Sequence, residues 1–141
     1  MSENPQEKLI RSVLVWRPDG FDNPLKAPGT VTSVCCLRST AAGDRAVVYR
    51  AGSDQGIAGI YDFLSDAFPH PPRRWAADGV LHRLDPYLPR ADLLLDQHLA
   101  PVFVHIQGRR TLPLDAARRL TSMLPNPPFA SRLEPQHGQL R

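Results

Sequence analysis

The fold of this chain is decided by one stretch, which reads Gly43-Asp44-Arg45-Ala46-Val47-Val48-Tyr49-Arg50-Ala51-Gly52-Ser53-Asp54-Gln55-Gly56-Ile57-Ala58. It contains a Gly-Asp turn, a short apolar run, a tip rich in Gly, Ser and Asp, and a second apolar run. Turn residues between β-branched and aromatic runs are typical of a β-hairpin. The stretch therefore predicts a β-barrel or a β-sandwich.

The second limb of this hairpin, residues 56 to 65, is apolar on both of its faces. Alternation along a strand gives two sets of side chains: Ile57, Gly59, Tyr61 and Phe63 on one face, and Ala58, Ile60, Asp62 and Leu64 on the other. A strand that is covered on both sides needs a barrel with helices packed outside it. The two glycines indicate a bend or a bulge in this strand.

Length and composition describe a single globular domain. The chain has 141 residues, of which 42% are hydrophobic and 22% charged, and no apolar run is long enough to span a bilayer. We expect a flexible leader over residues 1–11, the domain over 12–124 and a Pro-rich, loosely ordered tail over 125–141. The polar start does not resemble a secretory signal, so we expect a cytoplasmic protein without membrane contact.

The rest of the chain divides into short elements. Predicted strands are Ser12 to Trp16, Val31 to Leu37, Val80 to Asp85 and Val102 to Ile106. Predicted helices are Ala91 to Leu99 and Leu114 to Leu124, the second with Pro113 in its first turn. Asp66 to Asp78 contains three prolines and is predicted to be a basic, aromatic loop, and prolines 86 and 89 are predicted to end the strand before them.

In order and spacing, these segments resemble the EVE domain of the PUA-like superfamily, which also holds YTH and ASCH domains. The match covers about residues 12 to 124. It is carried by Trp16 with Arg17-Pro18-Asp19, by Gly43-Asp44-Arg45 with Val47-Val48-Tyr49-Arg50, by Gly56-Ile57-Ala58-Gly59-Ile60, by Val80 to Asp85, and by Pro113 to Leu124 in place of the closing helix. The resemblance implies an α+β fold: a small, mostly antiparallel PUA-like β-barrel flanked by short helices.

The resemblance also implies a function, which is to read a modified base, for example a methylated one, flipped out of DNA or RNA into a partly aromatic pocket. Candidate pocket residues are Trp75, Trp16, Arg17, Asp19, Thr32 and Ser33, and candidate phosphate contacts are Arg73 and Arg74. Relatives carry a second cage tryptophan near Thr32 to Cys35, where this sequence has Thr32, Ser33 and Val34. Each candidate also has a structural alternative: a lid for Trp75, a core side chain for Trp16, and turn or strand roles for the others.

Charge and cysteine content are compatible with other functions as well. The formal net charge is +3 and most of the cations are Arg, which suits phosphate contacts. Neighbouring Cys35 and Cys36 predict no disulfide and no zinc site, and we expect no cofactor or metal. The first alternative is a protein-interaction module that docks a nuclease or helicase subunit; the second is a small enzyme that pairs Cys35 or Cys36 with His82.

Overall fold

The computed structural model describes residues 8–16, 27–71 and 74–130. In these ranges the strands are β1 (Ile10–Trp16), β2 (Val31–Cys35), β3 (Arg45–Arg50), β4 (Gly56–Phe63), β5 (Phe68–His70), β6 (Arg74–Pro89) and β7 (Arg109–Thr111). The helices are α1 (Arg90–Leu94), α2 (Ala100–Phe103) and α3 (Leu114–Met123). Within the same ranges, no helix has the length and apolar character that crossing a membrane requires.

The predicted hairpin is confirmed. Strands β3 and β4 pair antiparallel from Arg45 opposite Asp62 to Arg50 opposite Gly56. Every residue of β4 is buried, as expected for a strand that is covered on both faces. The expected irregularity lies between Ile57 and Gly59, where the pairing of β4 with β6 shifts register.

The strands form one curled, mixed sheet. Its order is β2-β6-β4-β3-β1-β7, and the short β5 pairs with β6. Strand β1 runs parallel to β3, whereas the other pairings are antiparallel. The result is a half-barrel with a few short helices, which agrees with the expected α+β class and mostly antiparallel small barrel.

Two apolar clusters cover the two faces of the sheet. The helix-covered core combines strand residues with residues of all three helices: Val13, Val47, Tyr49, Ile57, Ile60, Leu93, Phe103, Ala117 and Leu120 are among its members. The second core contains Leu14, Val34, Cys36, Ala46, Val48, Tyr61, Phe63, Ala77 and Leu81. Helix α3 therefore covers one side of the sheet, as its apolar stripe predicts.

The strand predicted for Val102 to Ile106 is wrong. Residues Ala100–Phe103 form helix α2, which has a proline in its first turn. A short apolar run does not distinguish a buried strand from a buried helical turn. Here tertiary packing decides, because Phe103 is fully buried and its ring stacks on Tyr49 with the ring centroids 5.5 Å apart. The helix before it is also shorter than predicted and ends at Leu94.

The loop predicted for Asp66 to Asp78 is wrong in part. This segment contains β5 and the first residues of β6, and Pro69 lies opposite Trp75 in their antiparallel pairing. Strand β5 pairs only with β6 in the part of the chain that the structure describes. A proline is tolerated on such an edge because its missing N–H removes no internal bond of the ladder.

Strand β6 also continues past the proline that was predicted to end it. Gly59 pairs with Arg83 and Ile57 pairs with Leu88, so Ala58 of β4 faces four residues of β6, 84 to 87. These four residues form a long bulge outside the pairing register. Pro86 lies in this bulge, where a backbone N–H is not needed for the ladder.

The ends of the expected domain also differ from the structure. Strand β1 begins within the expected leader, because Ile10 is buried in the helix-covered core. Residues 125–130 of the expected loose tail are packed against the sheet: Asn126 and Pro127 accept hydrogen bonds from Arg45, and Ala130 donates one to Asp62. We call residues 126–130 the C-terminal strap.

Candidate functional site

Trp75 lies in an open groove at one end of the sheet. It is the second residue of β6, its side chain is half-buried, and it packs against the second core. The groove has a volume of about 370 Å³ and is lined by Pro69, His70, Pro71, Arg74 and Trp75. The Trp75 ring therefore packs against the second core and also borders a space that solvent can reach.

Two arginines lie near Trp75, one over its ring and one in the wall of the groove. The guanidinium carbon of Arg38 lies 5.3 Å from the ring centroid, which is within cation–π range. Arg74 is exposed, and its Nη1 is 3.9 Å from the sulfur of Cys35. The groove thus combines a stacking surface with positive charge, and Arg38 is a contributor that we did not predict from the sequence.

Among the described residues, Trp16 does not line the groove at Trp75. Trp16 ends β1 opposite Arg50 of β3, whereas Arg50 pairs with Gly56, close to the position where β4 meets Arg83 of β6. Trp75 is eight positions before Arg83 on β6, which is about 26 Å of strand at 3.3 Å per residue. Both tryptophans pack against the second core.

The indole N–H of Trp16 is buried and has no hydrogen-bond partner among the described residues. A buried donor without a partner is unusual in folded proteins. Arg17 and Asp19, the next candidate pocket residues along the chain, lie outside the described residues, as does Arg73.

Thr32 and Ser33 have local partners. Thr32 Oγ1 is 2.8 Å from the hydroxyl oxygen of Tyr61, and that hydroxyl donates to the Thr32 carbonyl oxygen at 2.9 Å. Ser33 is on the opposite face of β2, where its hydroxyl donates to Asp78. Thr32 therefore borders the second core as a partner of Tyr61, and Ser33 is not brought together with either tryptophan.

A buried ionic network, which we did not predict, lies in the middle of the sheet. Arg45 Nε is 2.6 Å from Asp62 Oδ1, and His82 Nε2 is 2.7 Å from Asp62 Oδ2. Burial would raise the pKa of Asp62, but hydrogen bonds from His82, Arg45 and the Ala130 N–H hold it below its usual value. The only sequence signal was an aspartate inside the apolar strand of the hairpin.

The cysteines do not meet a histidine in the way the enzyme alternative requires. Cys35 pairs with Ala76 of β6, six positions from His82, or about 20 Å along the strand. His82 contacts Asp62 instead. Cys36 is buried, and burial raises the pKa of its thiol. A thiolate nucleophile activated by His82 is therefore not formed.

Similarity to known proteins is confined to the fold. No family model and no curated protein matches the sequence. One similar solved structure is described as the NMR structure of Rpa0253 from Rhodopseudomonas palustris, with 15% identity and a TM-score of 0.63 over 79% of this chain and 90% of that one. Another is a hypothetical protein from Leishmania major, with 14% identity and a TM-score of 0.65 over 84% and 96% of the two chains. The chain is therefore similar to these two proteins in the architecture of its curled sheet and short helices.

Proposed function

We propose that this chain is a non-enzymatic nucleic-acid-binding module that stacks an unpaired base on Trp75. The observation that carries the proposal is the position of the Trp75 ring: it rests on the second core and borders an open groove that also contains Arg74 and His70. Stacking on an aromatic side chain contributes about 1 to 3 kcal/mol per base to the binding of single-stranded nucleic acid and tolerates different bases.

Charge around the groove supports the same function. Arg74 is exposed at the groove and Arg38 lies over the Trp75 ring. Arginine binds phosphate through a planar fork of donors and also stacks on bases. A strand that places a base against Trp75 would bring its phosphates towards these two guanidinium groups.

Recognition of a modified base is the finer part of the proposal and rests on the resemblance to EVE domains. Among the described residues, Trp16 does not line the groove, so the groove offers one aromatic wall, Trp75, together with Pro69 and Pro71. A methyl group adds apolar area worth under about 1 kcal/mol by transfer. We therefore expect modified and plain strands to differ by only a few-fold in affinity.

The proposal is tested with the full chain and fluorescent oligonucleotides. The panel contains single-stranded DNA, single-stranded RNA and duplex DNA, each plain and with 5-methylcytosine or N6-methyladenine. We expect single strands to bind better than the duplex, and affinity to fall as salt rises because phosphate contacts release counterions. No binding of any strand at low salt would reject the function.

A protein-interaction module is the second candidate, favoured by one observation. Phe68 is 38% exposed on the edge strand β5, next to the proline-lined groove. An exposed aromatic on a strand that pairs on one side only, as far as the described residues show, suits a docked peptide of a partner such as a nuclease or helicase subunit. Binding to such a partner would resist salt and be weakened by Phe68→Ser, whereas oligonucleotide binding would be weakened by salt.

A further inference from the structure

A second cavity lies at the opposite end of the sheet from Trp75. It has a volume of about 270 Å³. Ala58 of β4 is buried in its wall, Arg50 and Arg83 contribute guanidinium groups, and Asp85, Pro86 and Tyr87 of the β6 bulge complete it.

The long bulge of β6 creates this cavity. Four residues of β6 face Ala58 alone, so the chain arches away from β4 at this point. Gly56 permits the arch: a Cβ on Gly56 would lie 2.8 Å from Tyr87 Cδ2 and 2.2 Å from the Leu88 carbonyl oxygen. The shape of the cavity is therefore built into the backbone and the placement of Tyr87.

The two arginines keep most of their donors available. Arg50 Nε donates to the Asp54 carbonyl oxygen at 3.1 Å, and its guanidinium lies 4.6 Å from the centroid of the Tyr87 ring. These contacts fix its orientation while its terminal nitrogens have no partner among the described residues. Arg83 is exposed and likewise has no hydrogen bond or ion pair to a described residue.

We propose that this cavity binds a phosphoryl group through Arg50 and Arg83. Two guanidinium forks offer several N–H donors, which suits a tetrahedral oxyanion better than a single lysine would. Asp85 is exposed at the cavity and cancels one of the two positive charges, so a net positive charge is left for the anion. The group belongs to inorganic phosphate or to a nucleotide.

The site is independent of base stacking at Trp75. Arg83 is about 26 Å from Trp75 along β6, and no residue lines both the cavity and the groove. A Trp75 variant that loses oligonucleotide binding should therefore still bind phosphate in this cavity. The failure of one proposal would not imply the failure of the other.

The test is a titration of the full chain with inorganic phosphate, adenosine 5′-monophosphate and adenosine, followed by NMR of backbone and arginine side-chain N–H groups. We expect phosphate and the monophosphate to shift the signals of Arg50 and Arg83 at millimolar concentration, and adenosine to leave them unchanged. If phosphate and adenosine 5′-monophosphate bind with equal affinity, inorganic phosphate is a sufficient ligand. If the monophosphate binds more tightly, the ligand is a nucleotide. Both results support the site.

Variants decide whether the two arginines hold the anion. Arg83→Gln and Arg50→Gln should each weaken binding about tenfold or more, because each removes charged hydrogen bonds. Arg83→Lys keeps the positive charge but loses the planar fork of donors, so its affinity for phosphate should lie between that of the unchanged protein and that of Arg83→Gln. Arg118→Gln, a change of an exposed arginine on α3, should have no effect. Shifts spread evenly over surface arginines, equal losses in the Arg118 variant, or adenosine binding as well as its monophosphate would overturn the proposal.

Discussion

The guanidinium of Arg45 and the carboxylate of Asp62 form two parallel hydrogen bonds inside the sheet, with Nε 2.6 Å from Oδ1 and Nη2 2.9 Å from Oδ2. Both side chains are almost completely buried. Further donors and acceptors of the pair are used by His82 and by the C-terminal strap. One ion pair thus connects β3, β4, β6 and residues that lie after α3.

Arg45→Met should strongly destabilise the fold. The change leaves the carboxylate of Asp62 buried without its main cationic partner, and breaking a buried pair in this way typically costs about 3 to 5 kcal/mol. Urea unfolding followed by circular dichroism measures the loss. Arg118→Met on the exposed face of α3 is the control and should unfold almost like the unchanged protein. Equal stability of the two variants would show that the buried pair contributes little.

Stability should fall on acidification because of Asp62. Its pKa is below the usual value in the folded state, since the hydrogen bonds of His82, Arg45 and Ala130 outweigh the effect of burial. The unfolded chain therefore binds more protons, and the contribution is complete above the usual aspartate pKa of about 3.9 and lost as pH falls through the folded value. Carbon-13 NMR of the Asp62 carboxyl group measures that pKa directly; a value above 3.9 would contradict the prediction.

Thr32→Val should lower the stability of the fold and leave oligonucleotide affinity unchanged. The Thr32 hydroxyl is paired with Tyr61, and removing such a bond costs about 1 kcal/mol. A double-mutant cycle with Tyr61→Phe, measured by urea unfolding, should give a coupling free energy of the same size. If Thr32→Val weakened oligonucleotide binding without changing stability, the threonine would belong to the binding site after all.

Both thiols should react slowly in the folded protein. Cys35 and Cys36 are 7% and 3% exposed, and burial raises the pKa of Cys36. Because the thiolate is the reactive form, Ellman's reagent at neutral pH should modify neither cysteine until denaturant is added. Rapid modification of one thiol in the native protein would reopen the enzyme alternative.

The sequence predicted those parts of the fold where local signals agree. The hairpin of β3 and β4 has turn residues and two apolar strands, and α3 has an apolar stripe with a proline before it; the structure confirms both. The apolar run from Val102 predicts a strand as readily as a helix, and the helix is accompanied by the packing of Phe103 on Tyr49, which the local sequence does not show. Prolines 69 and 86 predict breaks in strands, because the sequence does not reveal that the first lies on an edge strand and the second in a bulge.

The candidate site was predictable only in part, for a similar reason. Trp75 is a candidate through the resemblance to EVE domains, and the structure places it at a groove. The absence of Trp16 from the described lining of this groove depends on the tertiary fold, which no local pattern encodes. Arg38, Arg50 and Arg83 look like ordinary surface arginines until the fold places them against an aromatic ring or a cavity.

The affinity of single-stranded oligonucleotides for a Trp75→Ala variant tests the proposed function most directly. Trp75→Phe keeps a stacking surface, and Trp16→Phe changes a tryptophan that does not line the groove among the described residues, so both serve as controls. Loss of base stacking should cost Trp75→Ala about 1 to 3 kcal/mol of binding free energy, with smaller losses in the controls. An affinity for Trp75→Ala equal to that of the unchanged protein would contradict the assignment of Trp75 as the stacking residue.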